Sequence, residues 1–272
     1  MIRIGVLGDL HYPRESQLFY ELLRILKRYD FDFLFLCGDT VNYANMFYLE
    51  KLVKKIVDRG RVRIVGVMGN HDFWLPESLR RRGFTSLDII PMYSRVLRIY
   101  GGFLLWDSIY ETEEFVVVGV PGWYDFSFAP KNLNFTRDDY LRGWFFGFQW
   151  NDMLYTKFGF PPEKFVEINV ERLRQQLDYA TRLHKKIFVL LHFVPIRDFL
   201  RYSGDPEDVW NAYAGSQKLG EVILEYGDRI STVFFGHFTY KKLKAKKILR
   251  SGIEFINVDA SQGIEAMEII EV

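Results

Sequence analysis

The sequence predicts an α/β fold built on a parallel sheet with helices packed on its faces. Two observations lead there. Short β-branched or aromatic runs alternate with amphipathic stretches through the first third of the chain, and polar side chains suited to metal or proton chemistry gather at the ends of such runs.

The runs at 2–7, 33–36 and 62–68 read as strands, and the stretches around 18–26 and 49–57 carry apolar residues at helical spacing. This β-α-β-α-β order needs crossover connections and hence parallel pairing. Between 89 and 120 the helical pattern gives way to three or four short extended segments, which predict antiparallel hairpins and a second sheet or a mixed extension of the first. Residues 122–160 differ in kind, being about twice as aromatic as the 17% of the whole chain, and read as an insertion or cap. Pro161 and Pro162 open a long amphipathic helix to about residue 183, since proline is accommodated in a helix's first turn. A strand at 187–191, a helical stretch at 219–226, a strand at 232–235 and a hairpin across 246–258 complete the pattern. No repeat, low-complexity tract or linker interrupts it. One domain over residues 1–272, carrying the insertion at 122–160, is the expected organisation.

Formal net charge is +1, from 36 basic and 35 acidic side chains, so no overall field draws the protein to nucleic acid or anionic lipid. The basic runs at 80–82 and 241–247 read as solvated faces, leaving nucleic-acid contact possible in principle but not favoured. The single cysteine, Cys37, lies within an apolar run, can form no internal disulfide and fits a reducing compartment. The N-terminus lacks a signal-peptide layout and the longest apolar stretches are too short to cross a bilayer, so a cytoplasmic protein is expected. Oligomeric state is not legible.

The decisive pattern is where the polar residues fall. Asp9 and His11 follow the first strand, Asp39 the second, and Asn70, His71 and Asp72 the third, while His192 and His237 end or follow two later ones. In parallel α/β sheets the carboxyl ends of strands line one edge, so side chains spread over more than 200 positions can converge there. Four of the five histidines lie in these blocks, and glycines at 8, 38, 69 and 236 precede four of them, allowing close backbone approach. Mixed imidazole and oxygen donors suit Mn, Fe, Zn, Ni or Co better than Mg or Ca.

These blocks resemble the signature of the calcineurin-like metallophosphoesterase superfamily: Asp-x-His, Gly-Asp-x-x-Asn, Gly-Asn-His-Asp, a solitary His, and Gly-His, in that order from Gly8 to Thr239. The resemblance implies a four-layer α-β-β-α sandwich of two mixed sheets. It also implies a dinuclear metal-dependent phosphoesterase that hydrolyses a phosphodiester or phosphomonoester by attack of a metal-bridging hydroxide. Position by position, Asp9 and His11 would hold a first metal, Asp39 would bridge, and Asn70, His192 and His237 would hold the second. His71 would be the general acid, its ring oriented by Asp72 or a backbone group.

One departure stands out. The last motif of the superfamily reads Gly-His-x-His, whereas here it reads Gly236-His237-Phe238-Thr239. A hydroxyl is a poorer ligand than imidazole, so the first metal site is expected to be weak, and His184 is a remote candidate to complete it. The expected substrate is a phosphorylated small molecule. The alternatives are a nuclease acting on single-stranded nucleic acid and a metal-binding module with weakened catalysis; His71, which serves only chemistry in the superfamily pattern, argues against the latter. Trp123, Tyr124 and Asp125 are candidate substrate contacts because they follow the strand at 115–120, though the aromatic stretch could equally be a small core or a dimer interface. Tyr12 and Asn42 sit beside motif residues and are candidates for either pocket lining or support.

Overall fold

The computed structural model describes residues 1–239 and 241–272. The chain runs β1 (Arg3–Leu7), α1 (Ser16–Arg28), β2 (Phe33–Cys37), α2 (Met46–Gly60) and β3 (Arg63–Val67), the order that the hydrophobic periodicity predicts. Next come α3 (Asn70–Phe73), α4 (Glu77–Arg81), α5 (Ile89–Ile99), β4 (Phe103–Leu104), β5 (Tyr110–Glu111) and β6 (Phe115–Gly119). The aromatic-rich stretch holds α6 (Arg137–Arg142), a small hairpin of β7 (Trp144–Phe145) and β8 (Phe148–Gln149), and α7 (Asp152–Tyr155). The remainder is α8 (Pro162–Ala180), β9 (Lys186–Leu190), α9 (Gln217–Tyr226), β10 (Ile230–Phe235), β11 (Lys247–Arg250), β12 (Ile253–Asn257) and β13 (Glu268–Glu271).

Two mixed sheets result, one ordered β13-β1-β2-β3-β4 and the other β11-β12-β10-β9-β6-β5. The inner strands are parallel in each, and antiparallel strands close the edges at β13, β11 and β5. Strand alternation explains the layering. Ile4, Val6, Phe35, Val65 and Val67 on one face of the first sheet meet Phe115, Val117, Phe188, Leu190 and Phe234 of the second. Their sequence neighbours Leu34, Leu36 and Ile64 face the other way, onto Leu22, Leu52, Ile56 and Leu97 of α1, α2 and α5. Val116, Val118, Val189 and Val233 likewise meet Leu173, Leu177 and Ile223 of α8 and α9. Helix, sheet, sheet and helix are therefore stacked in four layers, the arrangement that the sequence resemblance implies.

The segment 89–120 departs from the hairpins expected of it. Residues 89–99 are the helix α5, with Ile89, Ile90, Tyr93 and Leu97 buried on one face. Isoleucine, tyrosine and valine give this stretch a strand-like composition, yet Pro91 lies in the first turn of a helix, where its missing N–H is harmless, and tertiary burial of a 1-2-5-9 stripe decides for helix. The extended segments that follow do form a hairpin, β5 with β6, and β4 adds two residues in parallel to β3. The terminal strand β13 was also outside the sequence reading, its four residues Glu-Ile-Ile-Glu being too short a signal.

Phe35 sits at the middle of the sheet-to-sheet layer, with ring centroids of Phe115 and Phe188 at 6.1 and 6.2 Å. Phe35→Ala should cost about 3–5 kcal/mol, because a cavity between two rigid sheets collapses poorly. Denaturant unfolding of the variant, with an unchanged slope and a lowered midpoint, is the expected result.

Candidate active site

The parallel strands of both sheets end at a common edge, and backbone pairing beyond the strands knits that edge together. The Asp9 N–H donates to the Gly38 carbonyl at 3.0 Å, the His11 N–H to the Asp39 carbonyl at 2.8 Å, and the Gly8 N–H to the Val258 carbonyl at 2.9 Å, the last joining one sheet to the other. Glycines permit this closeness. Gly38 has φ of +84°, and a Cβ on Gly236 would lie 2.2 Å from an Asp9 carboxylate oxygen. Four of the ligand candidates, Asp9, His11, Asp39 and His237, themselves hold left-handed backbone with φ between 45° and 70°. Such geometry is uncommon for residues with a Cβ and clusters at functional sites.

Asp39 lies at the centre. Its Oδ2 is 3.7 Å from His11 Nε2, 3.8 Å from His71 Nε2 and 3.5 Å from His192 Nε2. Its Oδ1 accepts the His71 backbone N–H at 2.9 Å. Asp9 Oδ1 is 3.8 Å from His11 Nε2 and also receives the His237 N–H.

The hydrogen-bond network fixes which nitrogen of each imidazole is bare. His192 Nδ1 lies 2.9 Å from the Cys37 carbonyl, which can only accept, so that nitrogen carries the proton and Nε2 has a free lone pair. That lone pair faces Asn70 Oδ1 at 2.9 Å, and Asn70 Nδ2 is turned away to donate to Asp152 Oδ1 at 2.8 Å. Two acceptors thus confront one another beside the Asp39 carboxylate, an arrangement that a cation between them would resolve. His237 Nε2 is 3.1 Å from the Tyr213 carbonyl, which leaves its Nδ1 bare. Asn42 sets the remaining pair: its Nδ2 donates to the His11 carbonyl at 3.1 Å, so its Oδ1 accepts from Nδ1 of both His71, at 2.6 Å, and His11, at 3.3 Å. Four bare nitrogens and two carboxylates result.

Electrostatics agree with a site built for cations. Burial pushes His11 down to about 4 and His237 down to about 3, and lowers His71 and His192 as well, so all four rings are neutral at pH 7. Burial, then the crowding of Asp259 and Asp39, raises Asp9 well above the carboxylate range; burial and Asp72 do the same to Asp39. These donors are what a divalent ion of the Mn to Zn series takes, and the residues fit it.

With this geometry in place, comparison with known proteins is informative. Residues 2–239 match the calcineurin-like phosphoesterase family. The chain belongs to that family. No curated protein matches the sequence. Among solved structures it is similar to a dimetal phosphatase from Danio rerio, at 14% identity and a TM-score of 0.55, with 97% of this chain and 88% of that one covered. It is also similar to TT1561 of Thermus thermophilus, at 11% identity and a TM-score of 0.56, covering 99% and 98% of the two chains. At such identities the likeness is one of fold.

The phosphoesterase site opens into a cleft of about 1150 Å³ lined by Asp9, His11, Asp39, Asn42, Asn70, His71 and His237, with Arg14, Arg201 and Lys242 among its cations and Trp74, Trp150 and Trp210 among its aromatics. His192 lies fully buried beneath it. Asp72 does not touch the His71 ring. Its carboxylate accepts the backbone N–H groups of Gly69, Val41 and Thr40 at 2.9, 3.0 and 3.3 Å, holding the loops after β2 and β3 together, while Asn42 and a stacked Trp74, centroid at 3.5 Å, orient the ring. Burial raises Asp72 to about 7 against these hydrogen bonds.

Trp123, Tyr124 and Asp125 lie outside the cleft. Trp123 is 1% exposed and packs against Phe158, Phe165 and Phe193, Tyr124 is buried beside it, and Asp125 ties Ser127 to Ser216. Tyr12 is buried against Phe19 and Tyr48. His184 is at the entry to β9, the opposite end from His192 and away from the other ligand candidates. Sequence reasoning overlooked Asp152, whose carboxylate receives Asn70 Nδ2, Trp74 Nε1 at 2.6 Å and Trp150 Nε1 at 2.9 Å. It sits inside the aromatic stretch, away from any strand end, so no motif pointed to it. Through Asp152 that stretch reaches the site as a scaffold for Asn70.

Metal binding should stabilise this phosphoesterase. At about a hundredfold excess over the dissociation constant, a bound ion contributes about 2.7 kcal/mol. For a chain of this size that corresponds to a rise in melting temperature of about 5–10 °C when Mn²⁺ is added to chelator-treated protein. Scanning calorimetry with and without the ion measures it.

Proposed function

We propose that this phosphoesterase hydrolyses a phosphate ester of a small molecule with two divalent transition-metal ions. Asp9, His11 and Asp39 would hold the first, and Asp39, Asn70, His192 and His237 the second. The observation that carries the reading is the set of bare imidazole nitrogens directed at one buried carboxylate, since divalent cations satisfy many such acceptors in one place. When bound, such ions supply Lewis-acid polarisation of a phosphoryl oxygen and acidify water.

The chain's own residues do the rest. Arg14, Arg201 and Lys242 on the cleft wall attract and orient the phosphate, and the tryptophans give its organic part a flat apolar surface. Asp39, held by the His71 N–H, keeps the two halves of the site in register. His71 would protonate the leaving oxygen. Asn42 holds its Nδ1–H, so Nε2 is the atom that would take up and deliver a proton. Burial and neighbouring imidazoles keep the ring neutral, and an arriving phosphate anion favours its protonation. A near-neutral net charge supports a small substrate over a polynucleotide. The unpaired, buried Cys37 supports a cytoplasmic setting.

A second reading of His71 has an observation behind it. Its Nε2 is as close to Asp39 as that of His11, so it could serve as a ligand. The variant His71→Ala separates the two. As general acid its loss should lower turnover about 10²–10⁴-fold on alkyl phosphate esters, with metal content intact and a small effect on nitrophenyl esters, whose leaving group departs unprotonated. A uniform loss on both substrates, with metal released, would assign it as a ligand. Asp39→Asn should be more damaging than Thr239→Ala, as only Asp39 would touch both ions, and turnover measured on one preparation of each checks the order.

A further inference from the structure

In the dinuclear reading the first ion would be one ligand short, because Thr239 stands where the family motif has a histidine, and the fold brings a further carboxylate to the same edge of the sheets. Asp259 follows β12, the parallel neighbour of β10, so the strand-end geometry that delivers His237 delivers Asp259 to the same edge. Its position is fixed by backbone: Gly8 donates to the Val258 carbonyl at 2.9 Å and Ala260 donates to the Gly8 carbonyl at 3.2 Å, which sets Asp259 beside Asp9 across the junction of the sheets. Asp259 is 2% exposed, lines the cleft with Asp9 and Thr239, and is the strongest charged neighbour that Asp9 has. Thr239 gives an independent sign. The residue is 8% exposed and its Oγ1 is buried with no hydrogen-bond partner among the described residues, although it lines the same cleft. A buried hydroxyl without a partner, in a cleft that two buried carboxylates also line, is the polar atom that a bound group would satisfy.

We propose that Asp259 is a ligand of the first ion, together with Asp9, His11 and Asp39, in the place of the absent histidine. This rests on the dinuclear reading above. Three carboxylates and one imidazole make a harder, more anionic site than the family's motif implies, which favours Mn²⁺ or Fe²⁺ over Zn²⁺ at that position.

The test is Mn²⁺ titration of chelator-treated full-length protein, following bound ions per chain by calorimetry and elemental analysis, with melting temperature on the same samples. Asp259→Asn, which preserves shape and the acceptor for the Ser261 N–H at 2.8 Å, should weaken one of two ions by at least about tenfold and leave the other unchanged. Adding Thr239→His to that variant should restore it. Two ions bound as tightly by Asp259→Asn as by wild type would overturn the assignment, as would a lowered melting temperature with metal binding intact, which would make Asp259 a counter-charge for Lys242. Asp259→Ala serves as the second variant and has the same two outcomes. If the wild type itself takes up less than about half an ion, the metal reading fails at its root, a result distinct from failure of Asp259 alone.

Discussion

One buried carboxylate organises the molecule. Asp39 has three imidazole nitrogens within 3.8 Å of a single oxygen and a backbone N–H on the other, and it can be so placed only if the carboxyl edges of two separate sheets are brought together. His11 and His71 come from the first sheet and His192 from the second. The aromatic and β-branched layer between the sheets is what makes their meeting rigid, since close-packed interiors shift little. Loops alone would not hold donors to this spacing.

That spacing crowds like charges. Asp9, Asp39 and Asp259 crowd one another, and burial raises their proton affinity while it strips protons from the imidazoles. Carbonyl oxygens of Cys37 and Tyr213, together with Asn42, then dictate which ring nitrogen stays bare. The orientation of the donor nitrogens is therefore written in backbone as much as in side chains. The same logic gives the aromatic stretch its place: Asp152 anchors the Asn70 amide from above, and Trp150 stacks on Tyr213 at 4.7 Å, so the supporting shell is continuous with the core.

Much of this was legible in the sequence because strand ends are cheap to recognise. An apolar run of five or six residues that ends at a polar donor, in four cases with a glycine just before it, reads the same before and after folding, and five such runs order themselves by the rule for parallel sheets. Asp259 obeys that rule too, following the apolar end of β12, and went unnoticed because it belongs to no familiar motif. The helix α5 was masked by residues that favour strands in isolation, and it bears on the site, since its Tyr93 hydroxyl bonds Thr40 Oγ1 at 2.8 Å. Asn42 was marked by its place beside Asp39, whereas Asp152 acts through a contact 82 residues distant in sequence, which no local pattern encodes. Trp123 shows the opposite case, an aromatic residue beside a strand end whose ring turned inward to the core.

The left-handed backbone at Asp9, His11, Asp39 and His237 has a consequence for how this protein can change. At each of these positions glycine or asparagine would relax the chain, and so mutations that remove ligands are also mutations that relieve strain. Selection for robustness alone would erode the site. A sequence drifting free of demand for the chemistry would lose its ligands first at the left-handed positions, keeping His192 and Asn70, whose backbones are relaxed, as the residue of its former use.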